Sequence, residues 1–246
     1  MRPERKRLGL GLALATVAVL MLSAAVLAAP EADQAHGAHG DGADGHHGHG
    51  RVIAPALHPE PVASPTWPPA LILVIGAAVL PLIPGRPLRA MLAVALPASA
   101  LWVIWGLPDG AQLVVPFAGH DLHVLQADRL SLVFGKIFAL VGVIAGIYAF
   151  HVGDRRQQVA ALLYNAGALG VTFAGDYFTL YAFWELMAVS STLLIWARDR
   201  QDSQSAGRRY ILVHLAGGAI LLFGIFLHVH GTGSILIERF APGTGG

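Results

Sequence analysis

The chain has 246 residues, 55% of them apolar and only 13% charged, with a formal net charge of +1. Soluble domains average about 25% charged residues, so this composition argues against a soluble globular protein. The balanced charge offers no basic surface for nucleic acid, and the absence of cysteine excludes disulfides, cysteine-ligated iron–sulfur clusters and cysteine nucleophiles in this chain.

Residues 1–29 have the layout of an export signal. Their cations come first, at Arg2, Arg5, Lys6 and Arg7. Twenty-two uncharged residues follow, at 8–29, and end in small side chains. A signal peptide has this order, although its apolar region usually spans about 7–15 residues. The sequence therefore predicts either a cleavable signal or a retained anchor helix, and both place residue 30 across the membrane.

Residues 30–69 are rich first in glycine and histidine and then in proline. Such a segment cannot bury a core, so we expect a disordered periplasmic connector. Five histidines fall within fourteen positions: His36, His39, His46, His47 and His49. Neutral imidazole is a common ligand of zinc, copper and nickel, which makes these residues candidate metal ligands. Their irregular spacing equally fits a solvated head that binds metal only incidentally, and we expect no other cofactor in this chain.

Six apolar segments follow and predict a transmembrane bundle over residues 70–230. They cover residues 69–82, 88–107, 130–150, 159–174, 177–197 and 210–229. A helix needs about 20 mostly apolar residues to cross a bilayer, so the first and fourth of them span only with their flanking residues. The runs are continuous rather than alternating, which favours helices over strands. The predicted fold class is all-α, a polytopic bundle of six core helices plus the N-terminal signal or anchor helix, with a Gly-rich tail at 231–246.

The cations alternate with the spans. If the N-terminus is cytoplasmic, twelve cations fall inside, three fall outside and one lies within a span. Short cytoplasmic loops carry an excess of Lys and Arg, so this count predicts a multi-pass protein of the inner (plasma) membrane. In this orientation residues 30–69 are periplasmic and residues 198–209 are cytoplasmic.

Glu185 is the residue that suits a lipid environment least, because it lies near the middle of the segment 177–197. A charge at a helix centre costs about 2.5–3.5 kcal/mol on insertion scales. A carboxyl that can gain and lose a proton at this depth is suited to a proton relay. A permanently neutral one would only hydrogen-bond neighbouring helices. Intramembrane ionisable groups usually mark functional sites, so Glu185 is the leading candidate.

Lys136 and His214 are secondary candidates. Lys136 lies about 10 Å inside its span, at 1.5 Å per residue. Its side chain can either extend to the membrane surface or face the bundle as a charge partner of a carboxylate. His214 lies one turn inside the last span and is a candidate for the proton path. The histidines at the other end of that span, His228 and His230, are expected mainly as solvated caps.

Three motifs between residues 128 and 234 resemble the N-terminal half of the proton-translocating antiporter family. They are Asp128-Arg-Leu-Ser-Leu, the segment 175–187 around Glu185, and Arg209-Tyr210 followed by an apolar helix and His230-Gly-Thr-Gly-Ser. The family includes the antiporter-like membrane subunits of respiratory complex I and the large antiporter-like subunits of multisubunit Na⁺/H⁺ antiporters. The resemblance implies that Glu185 is the essential carboxylate of the fifth core helix. It also implies that the family's lysine-bearing helices lie beyond this chain, so we expect a truncated or split subunit, or a diverged relative.

The leading hypothesis is a membrane subunit that translocates protons, or exchanges Na⁺ for H⁺, with Glu185 as its protonatable gate. The resemblance implies other membrane subunits of an antiporter or an NADH-quinone oxidoreductase-type complex as partners, with the bilayer as surroundings. No catalytic site is visible in the chain, and whether the assembly is an enzyme stays open. The alternative is a non-transporting assembly subunit or a periplasmic metal-binding membrane protein.

Overall fold

The computed structural model describes residues 67–117, 120–198 and 200–237. Each of the six apolar segments contains a helix. The helices are α1 (Pro69–Val79), α2 (Arg86–Trp105), α3 (Arg129–Tyr148), α4 (Arg155–Phe173), α5 (Tyr177–Trp196) and α6 (Gln201–Thr232), and short 3₁₀ turns extend α1 and α3. The leader at 1–29, the histidine-rich residues 36–49 and the end of the tail at 238–246 lie outside the described residues. The predictions about them therefore stay predictions.

Four of these helices, namely α2, α3, α5 and α6, are long and apolar enough to cross a membrane. The helix α1 with its following turn is a shorter apolar element. The first turn of α4 carries two arginines and two glutamines. This helix packs against α1, α3 and α5, so protein rather than lipid covers much of its surface. The structure is thus a mostly helical membrane bundle, as predicted.

Aspartates begin three of the helices. Asp128 and Ser131 form a capping box at the start of α3, and Asp154 accepts a hydrogen bond from the Arg156 amide at the start of α4. Asp176 is fully buried at the start of α5 and accepts hydrogen bonds from two backbone amides and from the Thr179 hydroxyl. Such caps satisfy amides that have no partner within the helix, which fixes where each helix starts.

A β-hairpin connects α2 to α3 and was not predicted. Its strands, β1 (Gln112–Phe117) and β2 (His120–Gln126), pair antiparallel, with a register shift between Leu113 and Val114. Leu125 of β2 is fully buried in the main core cluster. The apolar segments did not indicate the hairpin, because its strands are only six and seven residues long and contain brief apolar runs.

The two ends of the bundle differ in chemistry. At one end, the Gly175 amide donates to the His123 carbonyl and the Tyr177 amide donates to the Ile235 carbonyl, so the hairpin, the start of α5 and the residues after α6 meet. We call this the hairpin end, and Arg129 is the only arginine there among the described residues. At the opposite, arginine end, the Arg86 guanidinium donates to the His151 carbonyl. The described cations of that end are Arg86, Arg89, Arg155, Arg156, Arg198, Arg200, Arg208 and Arg209.

Candidate functional site

Glu185 lies near the middle of α5, as its position in the sequence predicts. Its side chain is buried, with 3% of the residue exposed, and its Oε1 atom has no hydrogen-bond partner within the described residues. A buried polar atom without a partner costs about 1–3 kcal/mol, so a purely structural role would favour a different residue here. Of the five such side-chain atoms within the described residues, Glu185 Oε1 is the only carboxylate oxygen.

Gly218 of α6 lies directly against the Glu185 carboxyl. A Cβ atom built on Gly218 would overlap Glu185 Oε1, whereas one built on the neighbouring Gly217 meets nothing. Only a glycine therefore lets α6 approach the carboxyl so closely. The sequence analysis missed Gly218. A signal was present, because a glycine costs about 1 kcal/mol relative to alanine inside a helix and usually has a packing reason.

Two tyrosines continue from Glu185 toward the hairpin end. Tyr181 and Tyr177 lie one and two turns before Glu185, so the three side chains share one face of α5. Tyr181 is buried, and the Tyr177 ring contacts the His228 ring of α6, with 4.9 Å between the ring centroids. His228 was expected mainly as a solvated cap, but the structure places its ring against α5.

A second polar group continues toward the arginine end. The His214 ring lies 4.6 Å from the Tyr210 ring, measured between centroids. The Tyr210 and Ser191 hydroxyls are hydrogen-bonded across the two helices, with 2.9 Å between their oxygens. Tyr210, His214 and Gly218 follow one another at four-residue intervals and so share one face of α6.

These residues line the contact between two helices, which we call the α5–α6 seam. It comprises Tyr177, Tyr181, Glu185 and Ser191 of α5 with Tyr210, His214, Gly218 and His228 of α6. On its other side, α5 is packed with apolar side chains. There Phe183 and Met187 contact Gly170 and Gly167 of α4. The protonatable groups of these two helices that are buried or half-buried thus all belong to the seam, whereas the exposed ones lie outside it.

Lys136 is not brought to Glu185. Its ammonium lies 5.2 Å from the centre of the Trp105 ring, in a cation–π arrangement near the hairpin end. Lys136 belongs to α3, and α4 packs against both α3 and α5 while those two helices do not pack against each other. The structure thus places the Lys136 ammonium against Trp105 and not against Glu185.

The candidate metal ligands His36, His39, His46, His47 and His49 lie outside the described residues. Within the part of the chain that the structure describes, no group of three or more metal-type side chains gathers. The metal-binding hypothesis for the histidine-rich segment therefore stays a prediction.

Glycines also fix the packing of α2, α3 and α4. Gly146 of α3 lies against Ala93 and Val94 of α2, and Gly142 lies against the Asn165 amide of α4. Gly142 and Gly146 are four residues apart and so form a small-xxx-small pattern, which lets neighbouring helices pack closely against α3. A mostly apolar cavity of about 440 Å³ lies beside them between the three helices, and it is lined by residues outside the α5–α6 seam.

Comparison with known proteins confirms the resemblance to the antiporter family. Residues 174–243 match the family described as "NADH:quinone oxidoreductase/Mrp antiporter, TM", and this range includes Glu185 and the whole of α6. The chain is 31% identical over 183 residues to NADH-quinone oxidoreductase subunit N of Deinococcus radiodurans, covering 68% of this chain and 36% of that protein. It is 32% identical over 121 residues to Na(+)/H(+) antiporter subunit A1 of Staphylococcus aureus, covering 46% of this chain and 15% of that protein.

A solved structure shows the same arrangement of helices. It is the membrane-bound sulfane sulfur reductase, an archaeal respiratory membrane complex, which matches with a TM-score of 0.61 and 26% sequence identity. The match covers 69% of this chain and 28% of that one. The chain therefore spans about a third or less of the length of these relatives, and they support a multi-pass membrane protein of the kind found in respiratory and antiporter complexes.

Proposed function

We propose that the chain is a membrane subunit of a proton-translocating or Na⁺/H⁺-exchanging complex, of the complex I-like or Mrp antiporter type. Glu185 is its protonatable gate. The observation that carries the proposal is the position of this carboxyl: buried in the middle of α5, against Gly218, with an oxygen that no described residue satisfies. The relatives' names, which include a quinone oxidoreductase subunit and a Na⁺/H⁺ antiporter subunit, support the same class of function.

The gate depends on a difference in stability between the protonated and the ionised forms of the Glu185 carboxyl. When protonated, the carboxyl is compatible with its apolar surroundings. When ionised, it carries a charge whose cost at a helix centre is about 2.5–3.5 kcal/mol, so it holds that charge only while an ion, a proton donor or a partner subunit stabilises it. Loss and gain of the proton are thereby coupled to the arrival of another charge. The arginine-rich end faces the cytoplasm in this proposal, as the positive-inside rule requires.

The decisive experiment replaces Glu185 in the assembled complex. Glu185→Gln keeps the size and hydrogen-bonding capacity of the side chain but cannot ionise, so the complex should assemble normally and lose coupled transport at least about tenfold. Glu185→Asp should retain part of the activity. Transport is measured as pH-dye fluorescence in inverted membrane vesicles.

Asp202→Asn is the matched control, because it removes an exposed carboxylate in the first turn of α6 and touches no residue of the seam. Its transport should equal that of the native complex. Normal transport in Glu185→Gln would remove the gate and leave a non-transporting assembly role as the better assignment.

A further inference from the structure

Glu185 can act as a gate only if protons reach its carboxyl, which is buried between helices. The α5–α6 seam places two further protonatable groups in line with it, one toward each end. We infer that the seam is a proton route, with His228 and Tyr177 as the exchange group at the hairpin end and His214, Tyr210 and Ser191 as the exchange group at the arginine end. The inference rests on the proposed function, because it requires Glu185 to change its protonation state.

The hairpin-end half is built on α5. Tyr177, Tyr181 and Glu185 are four residues apart, which corresponds to about 6 Å of helix rise per step. Two hydrogen bonds of about 2.7–2.8 Å through one water span such a step. Tyr181 is buried between the other two, and the His228 ring lies beside Tyr177, where α6 reaches the hairpin end.

The arginine-end half is built on α6. His214 lies one turn from Gly218, the residue in contact with the carboxyl, and its ring lies beside the Tyr210 ring at a tilt of 49°. The hydroxyl–hydroxyl hydrogen bond between Tyr210 and Ser191 continues the line for a further step on the same side. Ser191 also hydrogen-bonds the Ala188 carbonyl, which holds its hydroxyl in place.

The transfer step balances without any further reactant. A protonated imidazole loses its proton to the Glu185 carboxylate, directly or through hydroxyls and water, giving neutral imidazole and neutral carboxylic acid. The second histidine takes the proton from that acid and releases it at the other end. Imidazole is suited to both steps because an unperturbed histidine changes charge between pH 5 and 8. Tyrosine and serine hydroxyls pass a proton on by donating one hydrogen bond while accepting another.

His230 provides a matched control for the two seam histidines. It lies two residues from His228 on the same helix, but it is exposed and stacks on Phe226 with its ring nearly parallel. A substitution there changes the same chemistry in the same helix without touching the seam.

The test compares His228→Ala, His214→Gln and His230→Gln with Glu185→Gln, in the assembled complex reconstituted in liposomes. Both seam variants should assemble normally and transport at least about tenfold more slowly, while His230→Gln transports at the native rate. Millimolar imidazole added at the hairpin side should restore much of the transport lost in His228→Ala, because a free imidazole can replace a proton carrier but not a packing contact. Tyr210→Phe keeps its ring against His214 but loses the hydroxyl, so it should slow transport severalfold without loss of assembly.

The outcomes separate this inference from the proposed function. Loss of transport in Glu185→Gln with native rates in both seam histidine variants would overturn the route and keep the gate. A loss confined to one of the two histidines, or a loss in His228→Ala that imidazole does not restore, would also overturn a route through the whole seam. Native transport in Glu185→Gln would instead refute the gate itself.

Discussion

Gly218→Ala tests the contact on which the site depends, and Gly217→Ala is its built-in control. The two glycines are neighbours in the same apolar helix, so both replacements gain the same backbone preference for alanine, about 1 kcal/mol in a helix interior. They differ in what the new methyl group meets. At Gly217 it meets nothing, and at Gly218 it overlaps the Glu185 carboxyl oxygen. The difference between the variants therefore isolates the steric contact.

The size of that difference follows from which atom is displaced. The overlapped oxygen ends a flexible side chain, so the carboxyl turns aside before the helices separate. An off-rotamer side chain costs about 0.5–1.5 kcal/mol, and overpacking of a closely packed site costs about 1–3 kcal/mol. Because the carboxyl can turn aside, the smaller of these costs applies, and we expect Gly218→Ala to be less stable than Gly217→Ala by about 0.5–1.5 kcal/mol. We also expect it to lose transport at least about tenfold, since the gate is displaced.

The assay is reversible unfolding of the purified full chain in mild detergent, titrated with sodium dodecyl sulfate, together with transport in the assembled complex. The same two replacements are then made in a Glu185→Ala background, where the overlapped oxygen is absent. There the two variants should agree within about 0.5 kcal/mol, the usual limit of additivity. Equal stabilities in the native background would refute the contact. A difference that persists without Glu185 would refute its assignment to the carboxyl.

Three further predictions concern the rest of the chain. Reporter fusions should show a periplasmic signal after Gly50 and a cytoplasmic signal after Ser203, because the cations gather at one end of the bundle. A cytoplasmic signal at Gly50 would contradict the predicted orientation. Deleting residues 36–49 should leave membrane insertion and transport intact. The undeleted protein should bind Zn²⁺ weakly at neutral pH and release it near pH 5, because imidazoles take up protons there. A tight stoichiometric Zn²⁺ site would favour the metal-binding alternative. Lys136→Gln should change transport less than about threefold, because the Lys136 ammonium lies over Trp105 and not beside Glu185. A loss of transport as large as that of Glu185→Gln would contradict this expectation.

The helices were predictable because the length of an apolar run can be counted in the sequence without knowing which helices are neighbours. Crossing a bilayer requires about 20 apolar residues whatever the neighbours are, and α2, α3, α5 and α6 meet that condition. Helix ends were less predictable. The helix α6 begins at Gln201, nine residues before the predicted segment starts at Tyr210. The residues of these added turns are mostly polar, so a search for apolar runs does not include them in the helix.

The site was only half predictable, because it depends on which helices are neighbours. Glu185 stood out through its depth alone. The contacts of Glu185 with Gly218 and of Tyr177 with His228 require α6 to lie beside α5 in one rotational setting, and no single segment encodes that setting. The same holds for Lys136, for which the sequence left open extension to the membrane surface or a charge pair with a carboxylate. Its contact with Trp105 depends on how α2 and α3 pack together, which no single segment encodes.

The dependence on one interface also explains why the seam residues should act together. The helix α6 packs chiefly against α5, and large apolar side chains on its other faces, including Val213, Ile220 and Phe223, are exposed. Its rotation and distance are therefore set by the few residues that face α5. Gly218, which is in close contact with the Glu185 carboxyl, lies between the two histidine groups along α6. A methyl group at that position displaces the carboxyl, which is the group that both halves of the proposed route share. The glycine is thus as much a part of the proton route as the groups that carry the proton.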